Sequence, residues 1–273
     1  MTRDPEQRRS PGSRHALPPR VPTLGNTCRR IREERGYTRD QAAVMLLKIS
    51  RSYLRDIERD RRTPGVELLE LIILGYRLDS TLARHLRELR VAAVDLEPTA
   101  VLARTVTGNP ALMAHLDDLN RRGELAAYID PVWNVLACNE KFREATPGLE
   151  RSGSIPIWMF SAHTKPILTD RAYELAHATA SIRAITGIFR NAEQTRAVYR
   201  HLGPNTEFRA TWIQNVSAAY GRDPSALMHA IHPVTSQPVA YSLTISNQSQ
   251  SVLLLILSPR PSPEEATHRE TDG

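Results

Sequence analysis

The chain has 273 residues, 41% of them hydrophobic, and a formal net charge of +6. This length and composition suit one large domain or two ordinary ones with real cores. Two cysteines far apart, Cys28 and Cys138, exclude a disulfide framework and a zinc-site spacing. The longest apolar runs, residues 42–47 and 252–257, are too short to cross a bilayer. A soluble intracellular protein is therefore expected.

The positive charge is concentrated in the N-terminal part. Residues 1–94 contain 20 lysines and arginines against 12 acidic residues, whereas residues 95–273 contain 16 against 18. Binding to the phosphates of a nucleic acid requires such a local excess. The first 22 residues are rich in arginine, proline and serine and have no apolar core. They are expected to be a disordered tail and not a signal peptide.

Two helices are predicted after the tail. The first covers residues 24–35, where apolar residues recur at helical spacing, and Gly36 ends it. Thr38 and Gln41 have the spacing of a capping box, in which the Thr38 hydroxyl accepts from the Gln41 N–H and the Gln41 side chain reaches back. A second helix is therefore expected to begin here. A short turn through residues 48–49 follows it.

The third predicted helix begins at Ser50, a good N-cap residue. Leu54 and Ile57 are spaced to face a core, which turns the polar residues of this helix outward. Arginine's planar fork suits both guanine edges and phosphates, so this outer face is the expected DNA-reading surface. The residues predicted to contact DNA are Arg39, Gln41, Ser50, Arg51, Ser52, Arg55 and Arg59.

Two further helices are predicted, at residues 66–74 and 79–94. The second places Leu82, Leu86 and Leu89 on one stripe, which should pack on the preceding helices or on a dimer mate.

Residues 24–79 resemble the Xre/Cro-repressor class of helix-turn-helix domains. The matching segments are Arg32-Glu33-Glu34-Arg35-Gly36, Thr38 through Ala43, Ser50-Arg51-Ser52-Tyr53-Leu54, Ile57-Glu58 and Arg62-Thr63-Pro64. The resemblance implies a five-helix, all-α, lambda-repressor-like DNA-binding domain over residues 23–94, with an ion pair between Arg32 and Glu58. The turn at residues 46–49 is one residue longer than is usual in the family.

The rest of the chain has an α+β order. Residues 95–109 are expected to be a linker, and Pro110 suits the first turn of a helix at 110–120. Two strands, three helices and a three-stranded meander follow. Their expected ranges are 126–129 and 132–138, then 168–189, 192–202 and 205–215, then 226–232, 239–246 and 251–258. Residues 259–273 are expected to be a disordered tail.

Residues 110–258 resemble the PAS-like ligand-binding domain of MmyB-type regulators. The likeness lies in Ala127-Tyr128-Ile129-Asp130, Trp133 through Asn139, Phe208-Arg209-Ala210-Thr211-Trp212 and Tyr241 through Ile245. Glu140 stands where the family usually has proline, and Asn215 where it often has histidine. The resemblance implies an α+β PAS-like domain that senses a small apolar or fatty-acid-like molecule. The residues expected to line its site are Trp133, Trp158, Arg209, Trp212, Asn215 and Tyr241.

No motif for catalysis is present: no phosphate-binding glycine loop, nucleophile elbow or zinc spacing occurs. His229 and His232 would face opposite sides of a strand. The sequence therefore predicts neither an enzyme nor a cofactor. It predicts a cytoplasmic, nucleoid-associated transcription regulator that binds a near-palindromic operator in double-stranded DNA as a homodimer, without a membrane partner. Two alternatives stay open for the C-terminal domain: a ligand-free dimerisation or protein-interaction module, and an enzyme domain tethered to DNA.

Overall fold

A computed structural model describes residues 19–214, 216–223 and 225–260. The N-terminal domain consists of five helices, as predicted. They are α1 (Leu24–Glu34), α2 (Gln41–Leu46), α3 (Arg51–Glu58), α4 (Val66–Gly75) and α5 (Ser80–Arg90). All five contribute to the domain's core, in which Leu54, Ile72 and Leu86 are fully buried.

Local hydrogen bonds determine where these helices begin and end. The Gln41 N–H donates to Thr38 Oγ1 at 3.2 Å, and the Thr38 N–H donates to Gln41 Oε1 at 2.9 Å, which confirms the capping box. Ser50 Oγ accepts from the Tyr53 N–H at 3.2 Å, so Ser50 is the N-cap of α3 as predicted. Gly36 has a φ of +76°, which glycine adopts without steric cost.

The second helix is π-helical. The Leu47 N–H donates to the Ala42 carbonyl, five residues earlier, at 3.0 Å. A π-helical turn contains more residues than an α-helical turn, and such turns mostly occur singly within helices. The additional residue before α3 is therefore accommodated inside α2. The order of the helices is unchanged, and Ser50 still begins α3.

The C-terminal domain combines seven α-helices, two short 3₁₀ turns and one sheet within the described residues. The helices are α6 (Thr99–Thr107), α7 (Pro110–Arg121), α8 (Glu140–Ala145), α9 (Ile155–Met159), α10 (Arg171–Ile188), α11 (Glu193–Leu202) and α12 (Thr206–Gln214). The strands are β1 (Leu125–Ile129), β2 (Val135–Cys138), β3 (Met228–Ile231), β4 (Pro238–Asn247) and β5 (Leu253–Arg260). All neighbouring strands are antiparallel, in the order β2-β1-β5-β4-β3.

The sheet has helices on both faces. Along β1, alternate side chains pack against the helices on one face and then on the other. Leu125, Ala127 and Ile129 belong to a cluster with α8 and α9, whereas Ala126 and Tyr128 belong to a cluster with α6 and α7. Both sets are buried, so β1 has a continuous apolar sequence.

Some predicted boundaries were wrong. The expected linker at 95–109 contains α6, whose Leu102 and Val106 are buried in the domain's own core. Residues 259 and 260, predicted as part of the C-terminal tail, belong to β5, which ends at Arg260. The fifth helix, expected to reach residue 94, ends at Arg90. Of the predicted tails, residues 1–18 and 261–273 lie outside the described residues.

The turn between β1 and β2 is organised by the buried carboxylate of Asp130. Its Oδ1 accepts from two backbone N–H groups of the turn at 2.8 and 2.9 Å, and its Oδ2 accepts from Asn134 Nδ2 at 2.8 Å and from the Thr99 hydroxyl at 3.1 Å. Burial raises the pKa of Asp130, and these hydrogen bonds oppose the rise. Trp133 has a φ of +67°, a costly conformation for a residue with a side chain. Residues 132–134, predicted as strand, therefore form a turn.

The two domains pack against each other through α1 and α5 on one side and α10 and residues 216–220 on the other. The Val216 N–H donates to Glu34 Oε2 at 3.1 Å, and the Tyr220 hydroxyl donates to Glu88. Ala218 is buried in the core of the N-terminal domain. Arg51, Ser52 and Arg55, on the outer face of α3, are exposed.

Candidate nucleic-acid interface and candidate ligand cavity

The outer face of α3 presents arginine side chains to solvent. Leu54 and Ile57 are buried, as the spacing predicted, and this orients the opposite face outward. The side chain of Arg51 is 66% exposed and that of Arg55 is 44% exposed. Ser52 and Arg59 are also exposed. Cationic forks on one open helix face provide the chemistry that contacts base edges and phosphates.

An ion-pair network holds α3 in place from inside the domain. Arg32 Nε donates to Glu58 Oε1 at 2.5 Å and Arg32 Nη2 donates to Oε2 at 3.1 Å, so the pair implied by the resemblance is present. The Glu58 carboxylate is fully buried. Burial lowers the pKa of Arg32, but the hydrogen bonds and charge of Glu58 more than offset this and raise it overall. Because Glu58 is the last residue of α3, the network fixes the position of that helix on α1.

Arg39 belongs to the same network. Its Nε donates to Glu58 Oε2 at 3.0 Å, and its side chain is 26% exposed. Its contact with a DNA phosphate stays a prediction. The other N–H donors of the guanidinium would have to make that contact. Gln41 and Ser50 are exposed, but both use their side chains to cap helices. Their contacts to DNA stay predictions too.

The basic surface beside α3 is wider than predicted. Lys48, Arg61 and Arg62 are exposed next to the helix, and the Arg62 guanidinium lies 5.6 Å from the centre of the Tyr53 ring. The run of basic residues after Glu58 was the signal that could have identified the two arginines.

The C-terminal domain contains a mostly apolar cavity of about 90 Å³ between the sheet and helices α8 to α10. Three of the predicted ligand-binding residues, Trp133, Trp158 and Tyr241, line it. The other lining residues are largely aliphatic, among them Leu125, Ile155, Ile167, Leu243, Leu255 and Leu257. Three aromatic residues from distant parts of the chain, all of them predicted for the ligand site, thus lie around one cavity.

Five polar residues at the cavity were missed: Thr146, Glu174, His177, Arg222 and His232. Arg222 Nη1 and Nη2 donate to the two carboxylate oxygens of Glu174 at 2.8 and 2.7 Å, and both side chains are buried. The hydrogen bonds and charge of Glu174 raise the pKa of Arg222. Burial, and then the charge of Arg222, lower the pKa of His177. No local signal marks Glu174 and Arg222, which are 48 residues apart.

Two predicted ligand-binding residues lie elsewhere, which corrects the expected site. Trp212 packs edge-to-face on Tyr199, with ring centres 5.5 Å apart, in a cluster between α10, α11 and α12. The guanidinium groups of Arg183 and Arg30 lie over its ring, at 4.3 and 5.4 Å. Arg209 is exposed on α12. The aromatic residues are therefore divided between two clusters. Asn215 lies outside the described residues.

Among the helices in the described ranges 19–214, 216–223 and 225–260, none has the length and apolar character that a membrane span requires. No group of three or more histidine, cysteine, aspartate or glutamate side chains in these ranges could hold a metal ion.

Comparison with known proteins identifies the N-terminal domain. Residues 29–81 match the family model described as helix-turn-helix, and these residues run from within α1 to the beginning of α5. No curated protein matches the chain. Together with the exposed arginine face of α3, the match supports a DNA-binding transcription regulator of the helix-turn-helix type.

Proposed function

We propose that this regulator binds a near-palindromic operator as a homodimer and that its C-terminal domain binds a small apolar molecule. The observation that carries the first part is the outer face of α3, where Arg51 and Arg55 are exposed while Glu58 is locked to Arg32. A surface that reads bases must be both accessible and rigidly held.

DNA binding is tested with Arg55→Ala. Loss of a base-reading arginine is expected to cost about 1–3 kcal/mol of operator binding and to relax sequence preference. The measurement is a titration of operator and random duplexes at several salt concentrations. Arg87→Ala is the matched control, since Arg87 is exposed on α5 and paired with Glu70. Equal weakening on both duplexes would contradict base reading by Arg55.

Dimerisation follows from the small footprint of one recognition helix. Two such helices in a dimer lie about 34 Å apart and read half-sites separated by about one turn of DNA. Sequencing the genomic fragments that the protein retains should therefore return paired half-sites at that spacing. Native mass spectrometry measures the oligomeric state directly. Unpaired single sites bound by a monomer would contradict the dimer.

Ligand sensing is supported by the cavity of about 90 Å³ with its apolar lining. Ligand pockets of this kind are mostly apolar with a few polar groups. The volume is smaller than the roughly 150 Å³ of an engineered apolar cavity that binds benzene, so it favours a short apolar group over a long acyl chain. A ligand that binds only the folded state raises its stability. A thermal-shift screen of small apolar compounds, repeated with Trp158→Ala, tests this. A stable dimer without any response would favour the ligand-free interaction module.

A further inference from the structure

The cavity lies next to a second space, a cleft of about 590 Å³ between the two domains. The N-terminal domain contributes Ser80, Thr81 and Arg84 to this cleft. The C-terminal domain contributes residues of α10 and of the segment 218–223. His177 and Arg222 line both spaces, so the cavity and the cleft adjoin at these two side chains.

We propose that the cavity and the cleft form one composite site for a small amphipathic molecule, whose apolar end occupies the cavity and whose hydrogen-bond-accepting head lies in the cleft against Arg84. The inference rests on the proposed ligand-sensing function. It adds that the DNA-binding domain itself contributes to the ligand site.

The cavity favours the apolar end because its charged groups already have partners. Arg222 donates to both oxygens of Glu174, and its Nε and Nη2 also donate to the carbonyls of Ala226 and Leu227 at 2.7 and 2.9 Å. A guanidinium has five N–H donors, and this geometry uses four of them. An ionic group placed in the cavity would find no free counter-charge there and would lose its hydration.

The cleft favours a head that accepts hydrogen bonds. The Arg84 side chain is 58% exposed, lies 3.8 Å from the centre of the Tyr220 ring and donates from Nε to Glu88 Oε1 at 2.7 Å. The hydroxyls of Ser80 and Thr81 lie beside it in the first turn of α5. Asp223, the carboxylate lining the cleft, accepts from Ser225 N and Oγ. A head that lies against the Arg84 guanidinium is attracted if it is a hydrogen-bond acceptor or an anion and repelled if it is a cation.

The segment between Val216 and Arg222 connects this site to the DNA-binding domain. Ala218 packs in the core of that domain, and the Tyr220 hydroxyl donates to Glu88 on α5. Two residues further on, Arg222 binds Glu174 at the cavity wall. A molecule in the composite site would contact this segment and α5 together, so its binding would stabilise the contact between the domains.

The test uses three probes that share a butyl tail: 1-butanol, butyrate and butylammonium. Their dissociation constants are measured with the full-length protein by ligand-observed NMR. Butanol and butyrate should bind, and butylammonium at least about ten-fold more weakly. Arg84→Ala should weaken butyrate about ten-fold, the loss expected for one charge-assisted hydrogen bond, and butanol less. Arg87→Ala on the same helix should leave all three constants unchanged.

A second variant, Thr81→Val, keeps the test valid if Arg84→Ala fails to fold. Thr81→Val removes a hydroxyl from the cleft with little change in shape, and it should weaken butanol and butyrate by a few-fold. Binding of all three probes with equal affinity, unaffected by either variant, would overturn the composite site while leaving ligand sensing in place. Absence of binding by every probe to the wild-type protein would overturn ligand sensing and the composite site with it.

Discussion

Each domain contains a buried arginine–glutamate pair, but the surroundings of the two pairs differ. In the DNA-binding domain Glu58 lies in a packed core and accepts from both Arg32 and Arg39. In the C-terminal domain Glu174 accepts from Arg222 beside a cavity. The same kind of buried ion pair thus occurs in two different settings. A DNA-reading helix requires a fixed position, whereas the proposed ligand site requires open space beside its pair.

Removing the carboxylates, by Glu58→Ala or Glu174→Ala, is the strongest challenge to this comparison. Breaking a buried pair typically costs about 3–5 kcal/mol because the partner's charge is stranded. We expect a cost in this range for Glu58→Ala and a smaller one for Glu174→Ala, since water can enter the cavity and solvate Arg222. Urea unfolding measures both.

Glu70→Ala is the control for this experiment. Glu70 forms an exposed pair with Arg87, so its removal should leave the unfolding curve nearly unchanged. Equal losses for the two buried carboxylates would indicate that the cavity gives Arg222 no access to water.

The packing between the domains can be tested at Gly187 on α10. A Cβ at this position would lie 2.8 Å from His85 Cε1 and 3.0 Å from His85 Nδ1. Overpacking of this kind costs about 1–3 kcal/mol. Gly187→Ala is therefore expected to lower the melting temperature and to increase proteolysis between the domains, at residues 91–98.

Gly75→Ala is the matched control, because its Cβ would make only ordinary contacts, at 3.5 and 3.6 Å, with Leu47 and Leu46. It should be neutral or slightly stabilising, since alanine restricts the unfolded chain more than glycine does. A melting temperature unchanged in Gly187→Ala would show that α5 and α10 can separate at little cost.

The buried histidine at the domain contact, His85, makes the stability of the protein depend on pH. Burial, with a contribution from the charge of Arg183, lowers the pKa of His85 to about 3. As the pH falls through about 6.5, His85 therefore gains a proton in the unfolded chain, whereas His85 in the folded chain stays neutral. The stability contributed by neutral His85 is present above pH 6.5 and is lost as the pH falls towards 3, by about 1.4 kcal/mol per pH unit.

His85→Leu should reduce this slope between pH 6 and 4, as measured by urea unfolding at a series of pH values. His229→Gln is the control, since His229 is exposed on β3 and should leave the slope unchanged. An identical slope in His85→Leu and the wild-type protein would mean that His85 gains a proton without unfolding.

The N-terminal domain could be predicted almost entirely from sequence because its signals act within a few residues. Thr38 and Gln41 are three residues apart, Ser50 caps its own helix, and Gly36 ends one. Each depends on a hydrogen bond or a backbone angle that short segments determine alone. The Arg32–Glu58 pair spans 26 residues and came from the family resemblance.

In the C-terminal domain, long-range packing determined which residues lie together. The order of its elements followed from the apolar patterns, but the division of the aromatic residues did not. Trp133 and Tyr241 meet at the cavity, whereas Trp212 lies against Arg30 at the domain contact. Arg222 and Glu174 meet only because the segment after α12 folds back along α10. Local pattern determines which residues face inward. Which of them share a cluster depends on how strands and helices distant in sequence pack in space, because side chains in a core interdigitate with whatever lies opposite.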